Sequence, residues 1–242
     1  MKIVISDLDS KMNKIEGQAI IDSINKFVRR GNMFIIATDK AINYIADTLA
    51  ITDLDVEYYI CNDGGVIFDK YFNILYRKDI KQELVRPIIN ILEDDDNILE
   101  AFIDTSHGFV KDTTKSANGI VARPFDKLKA EILLNSIVLK YPSVHGHINE
   151  NWLNINDIDV NKYTAYEYLK NNFRLDKYEV YVYGKDITDL ELLENYNGYT
   201  PKECSEDLKK YSKGEFESVK ELIDSILDEE DKKELEAIYE NI

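Results

Sequence analysis

Lys2-Ile3-Val4-Ile5-Ser6-Asp7-Leu8-Asp9-Ser10-Lys11 opens the chain, and its reading decides the fold. The apolar run is β-branched and does not alternate, as in a strand covered on both faces of a parallel sheet. It stops at a carboxylate. Two carboxylates one residue apart on the turn beyond such a strand can face one pocket, and ligands of open parallel sheets collect outside the carboxyl ends of the strands. Asp7 and Asp9 therefore mark the site around which the chain is organised.

The pattern outward from this strand supports that reading. Residues 15–30 carry Ile20, Ile21, Ile24, Phe27 and Val28 at helical spacing, with Gly31 as the C-cap. Met33–Ala37 is a second buried strand, stopped at Thr38-Asp39, and 40–49 is helical through Ile42, Ile45, Ala46 and Leu49. Tyr58–Cys61 is a third strand, and Asn62-Asp63-Gly64-Gly65 turns tightly into Val66-Ile67-Phe68. Strand and helix in alternation specify a parallel sheet with right-handed crossovers.

From residue 80 the pattern changes. A helix over 81–93, with Pro87 as a potential kink, precedes paired strands at 99–103 and Gly108–Val110. A helix over 125–141 precedes a hairpin of 144–148 and 152–155. Helix, two strands, helix, two strands describes an α+β layer on an antiparallel sheet. Residues 80–157 are thus expected to form an inserted domain, with 1–79 and 158–242 as the core. The first pattern then returns: 162–171 is helical, Glu179–Tyr183 is a strand ending at Gly184, and 190–196 is a short helix. The tail is amphipathic over 215–227, and the charged residues 228–242 suit a second short helix.

Composition narrows the functions. At 242 residues and 44% apolar, the chain can bury a sizeable core. Lys plus Arg number 30 against 46 Asp plus Glu, a formal charge of −16, and a field of that sign repels phosphate backbones and anionic lipid. Nucleic acid and membrane are therefore poor partners. Cys61 and Cys204 alone, far apart, fit a reducing compartment, and no apolar run approaches a signal core or a membrane span. A cytoplasmic protein is expected. The sequence carries no sign of oligomeric state.

The polar residues at the strand ends form the chemical pattern: Asp7 and Asp9, Thr38, Lys162 opening the helix after the insertion, and Asp186 with Asp189. A hydroxyl and an ammonium suit a bound phosphoryl group, and carboxylates from a second strand end would complete an oxygen-lined Mg²⁺ site. Any one of these residues alone reads as a cap or turn; their order along the chain does not.

That order resembles the haloacid dehalogenase superfamily, and within it the Cof-type phosphatases, whose cap domain is inserted after the third strand. The resemblance implies a Rossmann-like α/β core with an inserted α+β cap. Asp7-Leu8-Asp9-Ser10-Lys11 stands for the family's Asp-x-Asp-Gly-Thr, Thr38-Asp39 for its Thr/Ser-Gly, and Lys162 for its lysine. Gly184-Lys185-Asp186-Ile187-Thr188-Asp189 stands for Gly-Asp-x-x-Asn-Asp. By role, Asp7 would be the nucleophile and Asp9 the general acid and base, with Thr38 and Lys162 binding phosphate. Mg²⁺ would sit on Asp7, the Asp9 carbonyl, and Asp186 or Asp189. The substrate would be a small phosphorylated metabolite, such as a sugar phosphate or nucleotide.

Several departures alter the site. Lys185 replaces a metal-binding Asp and, being cationic, would pair with Asp7, Asp9 or Asp189 instead. Asp39 replaces a Gly and would repel phosphate. Ser10-Lys11 replaces Gly-Thr. These changes keep a second expectation open, a catalytically inactive descendant that binds or regulates; a phosphomutase has only the fold in its favour. His107, His145 and His147 lack carboxylate or thiol company at ligand spacing and read as cap-face residues. Trp152 reads as a packing or hinge residue.

Overall fold

The computed structural model describes residues 1–7, 15–149 and 151–239, which divide into two compact units. The first takes Met1–Ile36, Asp47–Tyr58 and Arg174–Ile242; the second takes Ala37–Ala46 and Tyr59–Phe173.

The first unit is built on β1 (Lys2–Ser6), every residue of which is buried. It lies in parallel between β2 (Met33–Ala37) and β11 (Glu179–Tyr183). Beyond β11, also parallel, come β12 (Asn197–Thr200) and β13 (Gly214–Glu215). The order β13-β12-β11-β1-β2 is that of an α/β sheet. Helix α1 (Ile15–Arg29) buries Ile20, Ile21, Ile24 and Phe27 and ends at Gly31, whose φ of 84° is the left-handed C-cap expected. Two short helices, α6 (Leu190–Asn195) and α7 (Glu206–Lys209), complete the crossovers.

The C-terminal segment differs from expectation. It is one helix, α8 (Val219–Tyr239), not two. No Gly or Pro interrupts it, and its Glu, Lys and Leu content favours helix throughout. Val219, Leu222, Ile223, Ile226 and Leu227 are buried, and α8 packs against α1, where Ser23 donates to Asp224 at 2.6 Å. Its acidic half also has partners: Glu230 lies 3.5 Å from the Lys2 ammonium, and Asp231 pairs with Arg30.

In the second unit, β3 (Tyr58–Cys61) leads through a 3-10 turn, Asn62–Gly64, to β4 (Val66–Asp69), which pairs antiparallel with β5 (Ile74–Arg77). A separate five-stranded sheet is antiparallel and contains β6 (Ile98–Thr105), β7 (Gly108–Val110), β8 (Gly119–Pro124), β9 (Val144–Asn149) and β10 (Trp152–Asp157), in the order β7-β6-β8-β10-β9. Strand β8 was not expected: Gly119-Ile-Val-Ala is buried on both faces, so it shows no alternation, and Gly and Pro bracket it as in a loop. Helices α3 (Gln82–Glu93), continuous through Pro87, and α4 (Lys127–Lys140) cover the sheet. Val85, Ile88 and Leu92 meet Ile103, Ile120, Leu153 and Ile155 in its core. Helix α2 (Ile42–Ile51) begins in this unit, and α5 (Lys162–Asn172) lies within it. The span 80–157 lies wholly inside the second unit, which also takes in 37–46, 59–79 and 158–173. Among the described residues no helix is long and apolar enough to cross a membrane.

Candidate active site

In the first unit the register of β1 against β11 sets Ser6 opposite Tyr183. Both strands run the same way, so Asp7 leaves the sheet at the end where Gly184 begins the 184–189 loop. That loop is folded around Asp189, which is buried and whose Oδ2 accepts the backbone N–H of Lys185 at 2.9 Å and of Asp186 at 3.1 Å. A carboxylate that takes two N–H groups in this way fixes the loop. Asp7 and Asp186, at this strand end, are half-buried. The Lys185 side chain is exposed and, among the described residues, forms no ion pair. Of the expected partners Asp7, Asp9 and Asp189, Asp9 lies outside the described residues, and the Lys185 side chain pairs with neither Asp7 nor Asp189; it is the Lys185 backbone that serves Asp189. Asp9, Ser10 and Lys11 lie outside the described residues.

The second unit holds the other candidates around the turn Asn62–Gly64. Asn62 and Asp63 have φ of 52° and 55°, the left-handed region that Asn and Asp tolerate best after Gly. The Asp63 N–H donates to the Thr38 carbonyl at 3.1 Å, and the Thr38 N–H donates to Ile60 at 2.8 Å. Thr38 is thereby locked and fully buried. On the opposite side Gly64, at φ 104°, lies so close to α5 that a Cβ would stand 2.2 Å from the Asn161 carbonyl oxygen. There Asn161 and Thr164 form a capping box, with the Thr164 N–H 2.7 Å from Asn161 Oδ1. Lys162 is the first residue of that helix and is 1% exposed. The positive end of a helix dipole is by itself an unfavourable place for an ammonium. One turn thus holds both Thr38 and Lys162 in place.

Polar groups gather on the same turn. His147 Nε2 stands 3.6 Å from Asp63 Oδ2, and the His145 Nε2–H donates to the Val160 carbonyl at 2.7 Å. Burial raises the Asp63 pKa against the opposing pull of His147 and Lys162. Burial raises that of Asp104 further, with the Asn62 amide opposing and the Asp63 and Asp39 charges adding. Asp63, Asp104, Asn62 and Asn156 each keep a buried side-chain oxygen without a hydrogen-bond partner. They border a void of about 10 Å³, roughly the space one water needs. Asp39, expected to repel phosphate, accepts the Asn149 amide at 3.0 Å and lies 3.7 Å from the Lys40 ammonium.

Residues 4–140 and 125–229 match the model of the haloacid dehalogenase-like hydrolases. The chain belongs to that family. No curated protein sequence matches it. Among solved structures, a HAD/Cof-like hydrolase from Plasmodium vivax is similar at TM-score 0.80 and 14% identity, covering 94% of this chain and 96% of its own. BT1666 from Bacteroides thetaiotaomicron, described among phosphatases of the superfamily, gives 0.77 at 14% identity, covering 93% and 94%. The subclass IIB sugar phosphatase BT4131 gives 0.72 at 15% identity, covering 89% and 93%. At such identities these likenesses concern the fold.

In this haloacid dehalogenase-like hydrolase Asp7 and the 184–189 loop lie at one sheet end of the first unit, and Thr38 and the start of α5 at Lys162 lie against one turn of the second. Sequence reasoning missed Asp104 and Asn156, and saw Asn62-Asp63 only as a turn. The usable signal was the run of Asn and Asp at buried strand positions, Asn154, Asn156 and Asp157, where a strand core is ordinarily apolar. Trp152, expected to pack or act as a hinge, is half-buried with its ring 5.6 Å from Phe109. Among the described residues no three His, Cys, Asp or Glu side chains form a metal-holding group. Asp7 and Asp186 still suit Mg²⁺, which takes one or two carboxylates and completes its shell with water and substrate phosphate.

Proposed function

We propose that this hydrolase is a Mg²⁺-dependent phosphomonoester phosphatase acting on a small phosphorylated metabolite. The observation that carries the reading is the parallel register of β1 and β11, which puts Asp7 at the strand end where the 184–189 loop begins. In this reading an Asp7 oxygen attacks phosphorus, the ester oxygen leaves, and an aspartyl-phosphate forms. Asp9 gives the leaving oxygen its proton, then takes one from the water that cleaves the aspartyl-phosphate and frees inorganic phosphate. The Thr38 hydroxyl donates to a phosphoryl oxygen, and the Lys162 ammonium offsets charge as it develops. Mg²⁺ held by Asp7, the Asp9 carbonyl and Asp186 would screen the approach of an anionic nucleophile to an anionic ester. Asp189 orders the loop that presents Asp186.

The test is phosphate release from 4-nitrophenyl phosphate with and without Mg²⁺, by the parent and by Asp7→Asn. Mg²⁺-dependent release that Asp7→Asn loses by about a thousandfold or more supports the reading. Release absent under all conditions would leave the chain a non-catalytic binding module on the same fold.

A further inference from the structure

The second unit contains a cavity of about 380 Å³, in the range of small-molecule sites, open to solvent beside the start of α2. Its walls are aromatic. Phe109 is the hub: its ring lies 5.1 Å from Tyr44, 5.9 Å from Phe102 and 5.6 Å from Trp152, tilted by 47° and 52° against Tyr44 and Trp152 and near-parallel to Phe102. Three carboxylates line it: Asp39, 3.7 Å from the Lys40 ammonium, Glu100, 3.7 Å from the Arg123 guanidinium, and Asp104, which is buried and holds its proton more tightly than an ordinary aspartate. The chain already sets one of its own cations against this cluster, with the Lys111 ammonium 5.3 Å from the centre of the Phe102 ring.

These features select the charge and character of an occupant. Aromatic faces carry negative potential and attract cations, more strongly as water is excluded. Apolar walls leave the hydroxyls of a polyol largely without partners, which costs free energy for each one buried. A further anion would meet carboxylates and a chain of net charge −16. We infer that this cavity binds an organic ammonium group, seated against Phe109 and Trp152, with Glu100, held only by a loose, exposed pair with Arg123, as its counter-charge. As the place of a substrate's leaving group it rests on the phosphatase reading; as a binding site it does not.

Trp152 is the only tryptophan of the chain, so its emission reports occupancy directly. The full-length protein is titrated with choline and with 3,3-dimethyl-1-butanol, its neutral isostere, following Trp152 emission and heat. Saturable choline binding about tenfold or more tighter than the isostere is expected, weakened severalfold by Phe109→Leu and by Glu100→Gln. Equal affinities would reduce the cavity to a merely apolar one, and no heat or emission change with choline would overturn the inference. Phosphate release from phosphocholine and from 4-nitrophenyl phosphate separates the two readings. Choline binding with neither ester cleaved sustains the site and sinks the phosphatase. Choline binding with only the nitrophenyl ester cleaved sustains the site and overturns its role for the leaving group.

Discussion

In the first unit Asp189 is buried but accepts two backbone N–H groups, whereas in the second Asp63 and Asp104 are each buried with one oxygen left unbonded. The same residue type is structural in one place and costly in the other. The carboxylate of the 184–189 loop works as a brace. Those of the second unit raise the energy of the folded state, and such perturbed, buried acids concentrate where a protein needs chemistry or binding rather than rigidity. Asp63 also sits on the turn that fixes Thr38 and Lys162, so the two candidate phosphate ligands of this unit depend on a strained, poorly solvated element.

The contrast can be broken at the turn itself. Gly64→Ala forces a Cβ to within 2.2 Å of the Asn161 oxygen at a φ that Ala resists, and urea unfolding is expected to show a loss of about 3 kcal/mol or more. A loss near zero would mean that the turn yields freely. Asp104 gives a pH signature. Its folded pKa is raised, so the folded chain holds the proton more tightly; stability is full below the ordinary aspartate pKa of about 4 and falls as pH rises through the folded value. Asp104→Asn should therefore gain stability relative to the parent more at pH 7 than at pH 4. Equal differences at both pH values would show that burial does not burden this acid.

Smaller effects sharpen the comparison. Asn161→Ala removes the capping box that starts α5 and should cost about 1 kcal/mol in the same unfolding assay. Lys185→Ala, by contrast, removes an exposed side chain while its backbone still serves Asp189, so the stability change should stay within about 0.5 kcal/mol. A larger loss would restore the ammonium to a structural role.

What the sequence disclosed and what it withheld follow physical lines. Strands β1, β2, β3 and β11 were legible because each is a short apolar run that stops at a polar residue, and a site at strand ends follows from that alone. Strands β8, β12 and β13 were not, because two are short and β8 is bracketed by Gly and Pro. Asp7, Thr38, Lys162 and Asp186 could be named because motif order survives the substitutions. The contacts of Lys185 and Asp39 could not, since spacing does not reveal that one points to solvent and the other meets Asn149 on β9. Nor could the aromatic cavity, whose walls come from residues 44, 102, 109 and 152 with no shared periodicity.

The central claim is that Asp7 carries the phosphoryl group. Single-turnover reaction with a radiolabelled phosphomonoester, quenched in acid, tests it most directly. The account predicts a hydroxylamine-sensitive label on the protein, mapped to the peptide containing Asp7 and absent from Asp7→Asn. Phosphate release without any protein-bound label, or a label retained in Asp7→Asn, would contradict it.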